Sequence, residues 1–302
     1  MNPWLGLALL LTAALTIVVA WGAFVIAWDA MHPPRKGFAW ALATGRPGSP
    51  DALGLSAEET SLPGLDGVPC PAWRVQGAGG DRAPILLMLH GWGRSRWDSL
   101  ARLQPLLPIV REAWLPDLPA HGEHDGNRSW VGVREPDAAL AMLAEIAARN
   151  AGAPMVMMGH SLGAGVAIRA AARAHGLPVM GVIALAPYRD LASPIPGRMR
   201  MQGLPAQPFT ALSLLLLRAA GCMDAPLERD SASLRVPLLV IACEGDPISP
   251  ASDAERIAAA SSHATLLVLP GDRHDEPGQA DPARFNETLR AFVASLSRSS
   301  PA

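Results

Sequence analysis

Apolar positions fall into three regimes along this chain of 302 residues. From Trp4 to Trp28 they run without a single charged residue. At a helical rise of 1.5 Å per residue the run reaches roughly 37 Å, enough to cross a hydrocarbon core of about 30 Å with some tilt. Trp4 and Trp28 stand near its ends, where indole rings favour the headgroup level. Residues 31–56 (MHPPRKGFAWALATGRPGSPDALGLS) are broken up by Pro and Gly and read as a linker lying along the membrane surface. Beyond residue 57, short apolar runs alternate with amphipathic stretches.

That alternation predicts elements. Two short strands flank Asp66-Gly67, a hairpin signal. Further strands are expected at Ile85–Leu89, Ala113–Leu115, Met155–Met158, Val182–Ala186, Leu238–Ala242 and Leu266–Leu269. Helical periodicity marks Pro136–Arg149, Ser161–His175, Ala211–Ala220, Ser252–Ser261 and Pro282–Ser297. Strands separated by helices imply an α/β fold, a mostly parallel, doubly wound sheet with helices on both faces. The organisation read from this is an anchor at 1–30, a linker at 31–56 and an α/β domain at 57–302. The long interval 188–235 is a short lid-like insertion over a pocket. A domain that buries its own core would make the tether dispensable for chemistry.

Composition narrows the classes. Half the residues are hydrophobic, which excludes a disordered or collagenous chain. Basic and acidic residues number 25 and 27, with no basic block, so nucleic acid is not an expected partner. The three cysteines, Cys70, Cys222 and Cys243, form no CxxC pair and indicate neither a disulfide framework nor a zinc site. A cleaved signal peptide would need a basic start, a shorter apolar run and a small-residue cleavage site, so the anchor reading is preferred. Arg35, Lys36 and Arg46 follow the run and no Lys or Arg precedes it, which places the domain in the cytoplasm.

The chemistry gathers at Gly159-His160-Ser161-Leu162-Gly163, directly after an apolar strand and before a helix. A serine nucleophile needs a base within reach and a positive site for the developing oxyanion. A sharp strand-to-helix turn supplies the second and tolerates only small neighbours. Leu89-His90-Gly91-Trp92-Gly93 closes an earlier strand at the same sheet edge, so the backbone N–H groups of Trp92 and Leu162 are the expected oxyanion hole. Asp246 and His274 end the last two strands, giving the order Ser161, Asp246, His274, with the acid orienting the imidazole. Glu244 and Asp190 are rival acids. His90 and His160 read as structural. His121 and His124, with Glu123 and Asp125, offer one loop without a second ligand cluster, so neither a metal nor a cofactor is expected.

From about Glu58 to Ser297 the chain resembles the α/β-hydrolase superfamily of serine hydrolases, on LHGWG, DLPAHGEHDG, GHSLGAG, DPISP and GDRH. With its apolar start and the segment Gln202–Phe209, it resembles small membrane-anchored bacterial members without a large cap. Cys243 stands where the family often has glycine, and His124 where it often has Ser or Thr. The resemblance implies a membrane-tethered carboxylesterase or lipase-like enzyme forming an acyl-enzyme on Ser161, with a small-molecule or lipid ester as substrate and the bilayer as partner. A non-enzymatic binding module and a peptidase or amidase of the same fold are the alternatives.

Overall fold

The computed structural model describes residues 3–223 and 225–299, so the ends of the segments expected above as anchor and α/β domain (1–2 and 300–302), and position 224, lie outside the described residues. Eight strands are formed: β1 Ala57–Leu62, β2 Cys70–Gln76, β3 Ile85–Leu89, β4 Glu112–Pro116, β5 Met155–His160, β6 Val179–Leu185, β7 Leu238–Cys243 and β8 Ala264–Leu269. The helices are α1 Pro3–Met31, α2 Phe38–Ala43, α3 Arg96–Leu103, α4 Glu135–Arg149, α5 Leu162–Arg173, α6 Pro194–Met201, α7 Phe209–Ala219, α8 Glu228–Ala232, α9 Ala251–Ala260 and α10 Pro282–Ser299.

One sheet holds all eight strands in the order β1-β2-β4-β3-β5-β6-β7-β8. β1 and β2 pair antiparallel, as does β2 with β4, and the remaining pairs are parallel. β3, β6 and β7 carry no charged or hydrogen-bonding side chain except the Cys243 thiol because helices cover both faces. Alternate residues of β5 feed opposite cores: Met155 and Met157 pack with α4, α5 and α9, whereas Val156 and Met158 pack with α3 and α10.

Pro3–Met31 is one helix, long and apolar enough to cross a membrane. Only Ala23 and Ala27 of it are buried. Ala23 and Ala27, at i and i+4, with the neighbouring Gly22, leave room for α7 to approach closely. The Phe209 ring fills the space a side chain at Gly22 would need, with Cε1 2.6 Å from a Cβ built there.

The end of α1 is tied to the domain. The Trp92 indole N–H donates to the Ala30 carbonyl (2.8 Å) and the Ser129 amide to the Met31 carbonyl (2.8 Å), satisfying acceptors that a helix C-terminus leaves open. Residues 31–56 are likewise packed. Arg35 donates to the carbonyls of His124 and Gly126, Phe38 N–H to Glu123, and the Trp97 indole to the Gly48 carbonyl, while Ala41 of α2 is fully buried.

Candidate active site

The parallel strands β3, β5, β7 and β8 end at one sheet edge, where ligands of open α/β sheets bind. There β5 hands the chain to α5 through Ser161, whose φ of 53° and ψ of −115° lie in a sparsely populated region. Such a conformation costs on the order of 1–3 kcal/mol and persists only where the surroundings enforce it. Here Ser161 N–H is held by the Leu185 carbonyl (2.8 Å). Both flanking glycines are needed for closeness. A Cβ at Gly159 would lie 2.0 Å from the Gly163 carbonyl oxygen, and one at Gly163 would lie 2.1 Å from that of Leu89.

Three of the expected residues meet. The Ser161 hydroxyl is 2.8 Å from His274 Nε2, and His274 Nδ1 is 2.7 Å from Asp246 Oδ2. The other carboxylate oxygen accepts the N–H groups of Ile248 (2.8 Å) and Ser249 (2.9 Å), which fixes its orientation. All three side chains are buried. The rival acids are elsewhere: Glu244 is exposed, and Asp190 accepts the Ala192 amide in its own turn. Cys243, in place of the common glycine, does not displace the acid; its thiol donates to the Pro277 carbonyl (3.3 Å).

Two further histidines shape the site. His160 Nε2–H donates to the His274 carbonyl (2.8 Å), fixing the backbone that carries the imidazole. His90 Nδ1–H donates to the Gly91 carbonyl while Nε2 accepts the Leu118 amide (both 2.9 Å), so the neutral ring ties the loop after β3 to the segment after β4. Burial pushes its pKa down to about 4. A Cβ at Gly91 would fall 2.9 Å from His160 Nδ1 and 3.3 Å from the Ser161 Cβ, so the Trp92 loop lies directly against the serine turn. Neither the Trp92 nor the Leu162 amide donates to a protein acceptor among the described residues. Leu162 opens α5, where the helix dipole adds positive potential.

Side chains of His121, Glu123 and His124 bond to the backbone around them. His121 Nδ1 pairs with the Pro119 carbonyl, the Gly126 amide donates to His124 Nδ1, and Glu123 accepts the Phe38 amide.

A cavity of about 160 Å³ opens onto Ser161, walled largely by apolar side chains. Tyr188, Leu191, Ile195 and Met199 contribute one wall from the 188–235 interval. Another comes from Ile26, Asp29 and Ala30, one face of α1 at i, i+3 and i+4. Neither the share of α1 nor Val131, a β-branched residue at φ 52° on the cavity wall, was legible in the sequence. Glu135 holds that strained loop by accepting Ser129 Oγ–H and the amides of Trp130 and Gly132.

A family model described as the alpha/beta hydrolase family matches residues 86–288, two thirds of the chain. The chain belongs to that family. It is 26% identical over 229 residues, 76% of each chain, to an uncharacterized protein of Mycobacterium tuberculosis. Among solved structures, a Pyrococcus furiosus esterase superposes with a TM-score of 0.71 at 19% identity, over 88% of this chain and 97% of that one. A bacterial membrane phospholipase A, described as a virulence factor, gives 0.61 at 20% identity over 99% and 100%. At such identities the likeness establishes the fold.

Proposed function

We propose that this protein is a membrane-tethered serine hydrolase that cleaves a carboxylic ester through an acyl-enzyme. The observation that carries this is the continuous hydrogen-bond chain Ser161–His274–Asp246 at the floor of an apolar pocket. In the forward step Ser161 Oγ attacks the ester carbonyl carbon and its proton passes to His274 Nε2. Asp246 holds the ring by Nδ1 and stabilises the imidazolium. The developing oxyanion takes hydrogen bonds from the Trp92 and Leu162 amides. Collapse expels the alcohol, which takes the proton from His274. Water, deprotonated by the same ring, then releases the acid. His160 is a positioning residue, acting through the His274 backbone.

The tether reading rests on α1, whose outer faces are apolar and exposed while its last turns wall the pocket. A substrate with an apolar chain could reach Ser161 from the bilayer, which favours a lipid-like ester over a peptide. With Arg35, Lys36 and Arg46 on the domain side of α1, the domain faces the cytoplasm in this proposal. Protease added outside intact spheroplasts should leave the domain uncut, and rapid cleavage would reverse the orientation. Fluorophosphonate labelling tests the chemistry: Ser161 should be the labelled residue, and absence of labelling in the folded chain would favour a binding module.

A further inference from the structure

Arginines are numerous in this fold, and most with restricted exposure are paired. Arg46 meets Asp98, Arg74 meets Glu112, Arg94 meets Asp275 and Arg189 meets Glu228. Arg102 and Arg128 donate to backbone carbonyls. Arg198 departs from this pattern. It lines the same cavity as Ser161, and among the described residues no carboxylate lies within ion-pair distance and no carbonyl accepts from it. Its contact is the face of Trp92, with the guanidinium carbon 4.6 Å from the ring centroid. Stacking of this kind offsets part of the desolvation of a cation but leaves the in-plane N–H donors open.

The surrounding charges are already committed. Asp275 and Asp246 are the carboxylates whose fields reach Arg198, and they are engaged by Arg94 and His274. Tyr188 also lines the cavity; burial raises its pKa to about 12, so its hydroxyl stays neutral and able to donate. Asp29, on α1, stands at the exposed rim, beyond ion-pair distance of Arg198, and disfavours an anion at the mouth.

The arginine's position is built in. A Cβ at Gly197 would lie 2.3 Å from the Pro247 carbonyl oxygen, so α6 rests directly on the residues that follow Asp246. Arg198 is therefore held beside the reacting centre. A partly desolvated guanidinium without a protein anion, aimed at a substrate pocket, has the chemistry of an anion receptor.

Resting on the serine-hydrolase reading, we infer that Arg198 selects an ester carrying an anionic oxygen group, phosphate or carboxylate, close to the scissile bond, with Tyr188 as a second donor. The anion belongs either to the alcohol, as in an acylated glycerol phosphate, or to the acyl part, as in the monoester of a dicarboxylic acid. The two sources share the recognition chemistry.

Two matched pairs test this on the full chain in detergent micelles. The first is monolauroyl glycerol phosphate against monolauroylglycerol, and the second is p-nitrophenyl hemiglutarate against p-nitrophenyl valerate. In at least one pair the anionic member should have the higher kcat/KM by about tenfold or more, and which pair responds locates the anion. Arg198→Gln should collapse that ratio through KM for the anionic ester, and Arg198→Lys should restore part of it. A purely structural arginine would slow both members alike and leave the ratio unchanged. An unchanged ratio, or no anionic preference in the native chain, overturns the inference while turnover of the neutral esters leaves the hydrolase reading standing. Binding of dodecyl phosphate to the Ser161→Ala chain, measured by calorimetry against dodecanol, reads recognition without turnover. Equal affinities there also overturn it.

Discussion

Single side chains in this protein carry consequences that can be measured one at a time. Ser161→Ala and His274→Ala should each lower kcat on a small ester by on the order of 10⁴-fold or more, and Asp246→Asn somewhat less, because that change removes the orienter and spares the nucleophile. A double variant should be little worse than Ser161→Ala alone, since the three act as a unit. Circular dichroism serves as the folding control. Loss of turnover in Glu244→Gln or Asp190→Asn, with Asp246→Asn near normal, would reassign the acid. The histidines add a pH effect. Burial pushes His90 down to about 4 and His121 and His160 well below their usual 6.5, so each binds its proton on unfolding. The stability they contribute is complete above pH 6.5 and is lost as pH falls toward the folded values, about 3 kcal/mol by pH 4 for His90 alone. Asp117, raised by burial to about 6, acts in the opposite sense between pH 6 and 4, but it is one group against three. Thermal unfolding from pH 7 to 4.5 should therefore show a falling Tm, with a shallower fall in His90→Gln. A Tm that rises toward acid would contradict this balance.

At the scale of elements, the serine turn is a joint between β5, α5 and the loop after β3, and its glycines set the distances. Gly163→Ala would place a methyl group 2.1 Å from the Leu89 oxygen and 2.6 Å from the His90 oxygen, both backbone atoms that cannot swing aside. It should lower Tm by about 6 °C or more and abolish turnover. Gly165→Ala, two positions on, meets nothing nearer than 3.8 Å and should be tolerated or mildly stabilising. Equal tolerance of both would show that the turn can relax. Elements with long periodic patterns were legible: β3 falls where its apolar run predicts, and α4, α5, α9 and α10 lie within about two residues of their patterns. The short helices were not. α3 has only eight residues, although the Ser95 amide donates to Asp98 Oδ2 (3.1 Å) at a capping spacing that could have marked its start. α6 begins Pro-Ile-Pro and contains Gly197, a poor helical sequence that its packing on Pro247 stabilises nonetheless.

For the whole molecule, the consequence of greatest reach is that the N-terminal helix α1 and the pocket share a wall. The sequence treats Trp4–Trp28 as a tether separable from catalysis, whereas in space Ile26, Asp29 and Ala30 line the cavity and the Ala30 carbonyl holds the Trp92 indole. Deleting residues 1–36 should leave a chain whose sheet folds, because both main cores lie almost wholly outside α1 and α2. Its kcat/KM on esters should nonetheless fall about tenfold or more, as Trp92 loses its brace and the pocket one side. Turnover equal to the full chain would show that the anchor only tethers.

Much of this protein was fixed by local pattern. A charge-free run long enough to cross a bilayer, strands alternating with helices, and glycines around Ser161 at turn spacing each depend on neighbours in the chain, so periodicity and motif expose them. Asp246 and His274 could be expected beside Ser161, where the structure places them, because parallel strands must end at one edge, which converts chain order into proximity. What the tertiary structure alone decided involves partners far apart in sequence. Residues 22–31 meet α7 and the loops after β3 and β4. Glu135 holds Val131 in its strained conformation, and Gly197 seats α6, with Arg198, on the acid's loop. Such contacts are set by how separate surfaces fit once the sheet has formed, and side-chain fit between distant segments leaves no periodic trace along the chain.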